Sequence, residues 1–353
     1  MRVVAKITSI LEGTMEIKRD LYLNKLIARK HNGLIKVVTG IRRCGKSYLL
    51  NTLFYNHLKA SGVSDDHIIK FAFDSADDLL LIGENLIKLE KSKKRVDPEK
   101  FMAYIRSKVV DNQMYYLLLD EVQLLDCFES VLNGYLRKDN MDVYVTGSNA
   151  KFLSKDIITE FAGRGDEIHM YPLSFAEFMT AYSGDKYAGL SEYMLYGGIP
   201  LVVLRNGANE KSAALQTLFS EIYIRDIEKR NKIRNIGELE DLLNILSSSI
   251  GSLTNPEKLS NTFKTVKKSK ITATTIRKYL GYLEDSFLIE STQRYDIKGR
   301  NYIETPRKYY FSDLGLRNAR INFRQFEQTH SMENVIYNEL RMRGYNVDVG
   351  VIP

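Results

Sequence analysis

The chain has 353 residues, 44% of them hydrophobic and 27% charged, with 51 Lys and Arg against 44 Asp and Glu, a net charge of +7. That length suits two or three domains, and the charge permits an anionic partner, nucleic acid ahead of acidic lipid, without requiring one. Two cysteines, Cys44 and Cys127, exclude a disulfide framework and a zinc spacing. No run approaches the ~18 apolar residues of a membrane span, and the first twenty residues lack the order of a signal peptide, so a cytoplasmic setting without a membrane partner is expected.

Residues 34–39 (LIKVVT) are a short apolar run rich in β-branched residues, which predicts a buried strand. The loop Gly40–Ser47 follows at once, and a helix is expected from Lys46 through about residue 60, stopped by Gly62. Further strands are expected at 68–73, 115–119 and 143–146, with helices over 98–112, opened by Pro98, and over 128–138. Strands alternating with helices imply an α/β fold with a mostly parallel sheet. Each polar motif follows the carboxyl end of a strand, where such sheets bind ligands. After about residue 170 the pattern turns helical. Residues 236–310 read as three helices and a hairpin, and 331–353 as a helix followed by a strand.

Gly40-Ile41-Arg42-Arg43-Cys44-Gly45-Lys46-Ser47 has the composition of a phosphate-binding loop. Glycines let backbone N–H groups close around phosphate, Lys46 reaches the β- and γ-phosphates, and Ser47 offers a hydroxyl to Mg²⁺. Residues Gly40 through Tyr48 are therefore expected to contact ATP, with Cys44 at a variable position and without a redox role. Arg42 and Arg43 either neutralise phosphate or face solvent. Asp120-Glu121 closes a buried strand, so Asp120 is expected to hold Mg²⁺ and Glu121 to polarise the attacking water. Ser148, after the next strand, either senses the γ-phosphate or belongs to a Gly-Ser-Asn turn.

These motifs resemble one family. Ile17-Lys18-Arg19-Asp20-Leu21-Tyr22-Leu23, VVTGIRRCGKSYLL, LLLDEVQ, YVTGSNAKFL and AGRGDEIHMYPLSFAEF, continued by Tyr196-Gly197-Gly198-Ile199-Pro200, Tyr309–Gly315 and Glu333-Asn334, are similar to bacterial and archaeal AAA+-type ATPases with an AAA_14 nucleotide domain and a DUF4143 C-terminal region. The resemblance covers nearly the whole chain. It implies an AAA+-like P-loop sheet over residues 1–170, a helical lid-like region over 171–235, a winged helix over 236–312, and part of a restriction-endonuclease-like α+β fold over 313–353. It also places an arginine at Arg164 that would act as a finger on γ-phosphate charge, in cis or from a neighbouring subunit, or else pair with Asp166 or Glu167. Relatives carry an acid at Glu333 that a nuclease site would need. Of the further acid and the acid-x-Lys pair such a site also needs on following strands, Asp348 alone is left on the terminal strand, so no nuclease activity is expected.

The third helix of the 236–310 region has its apolar face at Ile276, Leu280 and Leu283, leaving Thr274, Thr275, Arg277 and Lys278 outward. Lys298 and Arg300 fall in the hairpin turn. Three helices and a basic hairpin describe a winged helix, whose third helix can enter a major groove while the wing touches phosphate. The other use of such a module is protein contact alone. Two functions follow: an ATPase using ATP and Mg²⁺ and coupled to double-stranded DNA, or a slow nucleotide-dependent switch controlling a protein interface. Either is compatible with a homo-oligomer.

Overall fold

The computed structural model describes residues 17–147, 163–293, 306–324 and 327–350. Five strands form the first sheet: β1 (Ile35–Thr39), β2 (Ile68–Ala72), β3 (Tyr115–Asp120), β4 (Met141–Thr146) and β5 (Gly165–His169). They lie in the order β2-β3-β4-β1-β5, and every pairing is parallel. β1, β3 and β4 are buried along their whole lengths, as strands covered on both faces must be. The charged residues in this interior are paired. Lys36 of β1 donates to Asp142 of β4, which also accepts from the Tyr144 hydroxyl at 2.7 Å.

The four expected strands are present within two residues of their predicted ends. β5 was not expected, because Gly165-Asp166-Glu167 carries no apolar signal. It is an edge strand paired only with β1 in the sheet, and its charges have partners: Arg29 Nε donates to Asp166 at 2.8 Å and the Thr39 hydroxyl to Glu167 at 2.8 Å. The helix after the phosphate loop runs through Lys46–Tyr48, a wider π-helical stretch at Leu49–Phe54, and Tyr55–Ala60. The helix Pro98–Lys108 starts as its sequence predicts, with Pro98 first and the Asp97 carboxylate accepting from Glu99 N at 2.8 Å.

Helices Phe175–Thr180, Lys186–Tyr196, Ala208–Thr217 and Arg225–Asn231 follow. Then come Ile236–Ser248, Pro256–Lys267 and Ala273–Asp285, and an antiparallel pair, β6 (Ile289–Gln293) and β7 (Arg307–Phe311). The second and third of these helices are capped by side chains: Asn255 accepts from Lys258 N at 2.7 Å and Thr272 from Thr275 N at 3.2 Å. The chain continues through Leu314–Arg320 and Gln328–Met342. The expected terminal strand is represented among the described residues by Val349 N donating to Gln293 O at 2.9 Å, beside β6. One continuous cluster of buried side chains runs from Tyr22 to Val335, so the sheet and the C-terminal helices share a core.

Two motifs at the C-terminal side explain themselves as structural locks. The Asp313 carboxylate, 2% exposed, accepts from Gly198 N at 2.7 Å and Leu316 N at 3.1 Å, joining two distant turns. A Cβ on Gly197 would lie 2.2 Å from that carboxylate, and φ there is +72°, so both space and conformation demand glycine. The Asn334 side chain exchanges two hydrogen bonds with the Phe311 backbone, at 2.8 and 2.7 Å, imitating a neighbouring strand. Beside it Glu333 accepts from Lys308 Nζ and the Tyr310 hydroxyl, both at 2.6 Å. Its carboxylate thus ties the last helix to β7.

Candidate functional site

The phosphate loop leaves β1 at the carboxyl edge of the sheet, between β4 and β5. Its backbone is unusual at three places: Gly40 (φ +134°), Arg43 (φ +65°) and Gly45 (φ +104°). Gly40 has no alternative, since a Cβ would lie 2.0 Å from Met170 O. Ile41 and Cys44 are buried beneath the loop, and the Cys44 thiol donates to Met170 O at 3.4 Å. The packing agrees with a Cys44 that has a space-filling role. Lys46, only 5% exposed, donates from Nζ to Gly40 O at 2.9 Å and Ile41 O at 3.1 Å, so its ammonium lies inside the loop.

Asp120 and Glu121 end β3, two strands from β1. The Asp120 carboxylate accepts from the hydroxyls of Ser47 and Thr146. Thr146, the last residue of β4, also accepts from Glu121 N at 3.1 Å. One threonine hydroxyl therefore fixes both acids, and Glu121 takes a left-handed backbone, φ +51°. Gln123 donates its amide to the Glu121 carboxylate. Burial pushes the Asp120 carboxyl up, against the two hydroxyl donors. Asp74, just past β2, is also pushed up by burial and then by the nearby charges of Asp120 and Glu121.

A cleft of about 490 Å³ unites these groups. Arg42, Arg43, Gly45, Lys46, Ser47, Tyr48, Asp74, Glu121 and Gln123 line it. Hard oxygen donors, Ser47 and Asp120 in mutual contact with Asp74 and Glu121 beside them, are what a Mg²⁺ ion selects. The concentration of carboxylates next to a loop lysine fits a cation held together with polyphosphate.

The helical region packs against the phosphate loop beside this cleft. Arg42 pairs with Asp226 at 3.6 Å, and Arg230 with the same carboxylate at 2.6 Å. The Tyr223 hydroxyl donates to Arg42 O at 2.6 Å. Burial pulls the Arg230 guanidinium down, opposed by Asp226, and Arg42 and Glu121 lie within electrostatic range. The helix Arg225–Asn231 thus sits over the loop and on its other side touches Ala273–Asp285.

The other predicted residues are dispersed. Arg164 precedes β5 at the opposite end of the sheet, where its carbonyl accepts from Ile35 N at 2.9 Å. The phosphate loop lies a full strand away, roughly 15 Å at ~3.3 Å per residue. A finger role for Arg164 within its own chain is therefore corrected: the strand it opens runs toward the site, and the arginine is left behind. Ser148, Lys298 and Arg300 lie outside the described residues. On the third helix, Thr274, Arg277 and Lys278 are exposed and Thr275 is half-buried, while Ile276, Tyr279, Leu280 and Leu283 are buried, as the periodicity requires.

Asp74, Thr146, Asp226 and Arg230 carried no role in the sequence reading. Asp74 had a signal, an acid directly after a buried strand like Asp120. Asp226 and Arg230 had none, since only the folded chain brings residues 180 positions downstream over the loop.

Comparison with known proteins agrees with this picture of the first half. Residues 32–179 match the AAA domain family AAA_14. Residues 187–327 match a domain of unknown function, DUF8612, where DUF4143 was expected. The chain is 35% identical over 342 residues to an uncharacterized protein of Haemophilus influenzae, covering 95% of this chain and 81% of that protein. It is 29% identical over 345 residues to an uncharacterized protein of Methanocaldococcus jannaschii, covering 93% and 70%. Among solved structures, Cdc6p from Pyrobaculum aerophilum is similar at 11% identity over 92% of this chain and 96% of that one, with a TM-score of 0.38. At that score the superposition is too loose to carry an argument. Among the described residues no helix is long and apolar enough to cross a membrane.

Proposed function

The chain belongs to the same family as the Haemophilus influenzae protein, with an AAA domain of the P-loop type in its first half, and on that premise we propose that it binds ATP with Mg²⁺ and hydrolyses it. The observation that carries the proposal is the single cleft in which the loop, Lys46, Ser47 and Glu121 meet, with Asp120 bonded to Ser47 at its edge. Lys46 would exchange its two loop carbonyls for β- and γ-phosphate oxygens. Ser47 and Asp120 would hold the metal, which supplies charge neutralisation between the phosphates. Glu121, oriented by Thr146 and Gln123, would accept a proton from the attacking water. Ser148 is proposed to sense the γ-phosphate. Arg164 remains a proposal only as a finger supplied to a neighbouring subunit's site.

The decisive experiment pairs two variants. Lys46→Ala is expected to abolish ATP binding and turnover. Glu121→Gln is expected to keep binding and lose turnover by at least ~100-fold, the scale of general base catalysis. Undiminished turnover in both would refute the assignment.

A second element of the proposal is coupling to duplex DNA through a winged helix. It is favoured by the exposed row Thr274, Arg277 and Lys278, with Lys264, Lys267, Lys268 and Lys270 exposed on the adjoining segment. The alternative is a slow nucleotide-dependent switch on a protein interface. Stimulation of ATP turnover by duplex DNA supports the first; tight nucleotide binding with negligible turnover, with or without DNA, supports the second.

A further inference from the structure

The segment Ile17–Leu23 has no part in the chemistry above, yet it contains the most densely bonded arginine near the site. Arg19 is 3% exposed. Its Nη1 donates to Cys44 O at 2.9 Å, its Nη2 to Tyr171 O at 2.7 Å, and its Nε to the Glu177 carboxylate at 3.0 Å. The guanidinium stands 4.8 Å from the centre of the Tyr22 ring. Glu177 is itself fixed by a capping box with Ser174. Arg19 is therefore rigidly placed before it reaches the loop.

Cys44 is a phosphate-loop residue, and its carbonyl points outward to Arg19. In a planar trans peptide the carbonyl and the following N–H point in opposite directions. Holding Cys44 O outside thus turns Gly45 N–H inward. The same logic applies two residues earlier, where the Tyr223 hydroxyl takes Arg42 O at 2.6 Å and so turns Arg43 N–H inward. Arg43 (φ +65°) and Gly45 (φ +104°) are the two residues of positive φ in this stretch. Alternation of this kind makes a concave nest of N–H groups that binds anions.

Building on the ATP-binding reading, we propose that Arg19 and Tyr223 are positioning residues that clamp the phosphate loop at two of its carbonyls and preset its N–H groups toward the polyphosphate of the nucleotide. Neither touches the nucleotide. Each acts by holding a carbonyl that would otherwise be free to swing into the cradle, together with the peptide it belongs to. Preset donors need no ordering when phosphate arrives, which favours binding.

The test uses the full chain, a fluorescent ATP analogue with Mg²⁺, and two variants. Tyr223→Phe keeps the buried ring and deletes only the hydroxyl. Arg19→Lys keeps the charge but cannot fork between two carbonyls. We expect the dissociation constant to rise about 3- to 10-fold for Tyr223→Phe and at least ~10-fold for Arg19→Lys, the scale of losing one or two hydrogen bonds that hold the loop in its binding conformation. KM for ATP should rise in step while kcat at saturation stays within about twofold, the signature of an interaction equal in ground and transition states. Unchanged affinity in both variants, with wild type binding normally, overturns the inference alone. A fall in kcat with unchanged KM overturns it too, since that would place the two residues in the chemical step. If wild type itself binds no nucleotide and Lys46→Ala behaves identically, the ATP-binding reading falls and takes this inference with it.

Discussion

Thr146→Val is the sharpest available test of how the two acids are held. Thr146 is fully buried at the end of β4, and valine matches its shape. The substitution deletes a donor to the Asp120 carboxylate, itself 6% exposed, and an acceptor for Glu121 N. A hydrogen bond to a charged buried group is worth about 1.5–3 kcal/mol and a neutral one about 0.5–1.5, so the folded chain should lose about 2–4 kcal/mol. For a chain of this size, with an unfolding entropy of about 2.1 cal/mol/K per residue, that lowers Tm by roughly 3–5 °C. Catalysis should suffer separately, because Glu121 is aimed through the same hydroxyl and a misplacement of about 1 Å can cost up to ~100-fold. Urea unfolding, with ATP turnover measured well below the lowered Tm, reads both effects. Thr146→Ser, which keeps the hydroxyl, should stay near wild type in each. A Thr146→Val protein as stable and as active as wild type would refute the hub.

Two other outcomes follow from the same geometry. Arg277→Glu combined with Lys278→Glu should weaken retention of duplex DNA and reduce the magnitude of the logarithmic salt slope by about 2, one per phosphate contact; an unchanged slope would remove these side chains from any DNA surface. Asp313 is pushed up to about 6 by burial, above its ordinary 3.8. Its raised folded-state value means the folded chain binds the proton more tightly. The stabilisation is therefore fully present below about pH 4 and is lost as pH rises toward 6, at most about 3 kcal/mol. Asp313→Asn should flatten that part of the stability profile in denaturation between pH 4 and 7, and an identical profile in both proteins would contradict it.

Legibility in the sequence followed the range of the forces involved. β1 and β3 announce themselves by unbroken apolar runs, and the loop between β1 and its helix by glycines whose backbone conformations only the folded chain explains. The start of the helix at Pro98 is local chemistry and reads directly. β5 does not, because Ile168 is its one buried apolar residue, and its acids are satisfied by Arg29 and Thr39 from elsewhere. The choice among the roles open to Arg164 was illegible for the same reason: its position along the chain says nothing about which end of the sheet its strand begins on. Asp226, Arg230 and Tyr223 reach the site from beyond residue 220, so no local pattern could have placed them there.

That long-range contact has a mechanical consequence. Arg42 belongs to the phosphate loop, yet its partner is Asp226, which Arg230 shares. Polyphosphate brings several negative charges to the same cleft and competes with Asp226 for Arg42. Releasing Asp226 would free the helix Arg225–Asn231, which also rests against Ala273–Asp285. Under the proposed function, Asp226→Asn should therefore break the link while leaving the loop intact. Nucleotide affinity should hold or rise by up to several-fold, because about 1 kcal/mol of competing ion pairing is removed. The dependence of duplex DNA retention on bound nucleotide should shrink. Measuring DNA retention with and without an ATP analogue, in wild type and in Asp226→Asn, decides it. If the variant keeps the full nucleotide effect, communication between the cleft and the third helix does not pass through Asp226.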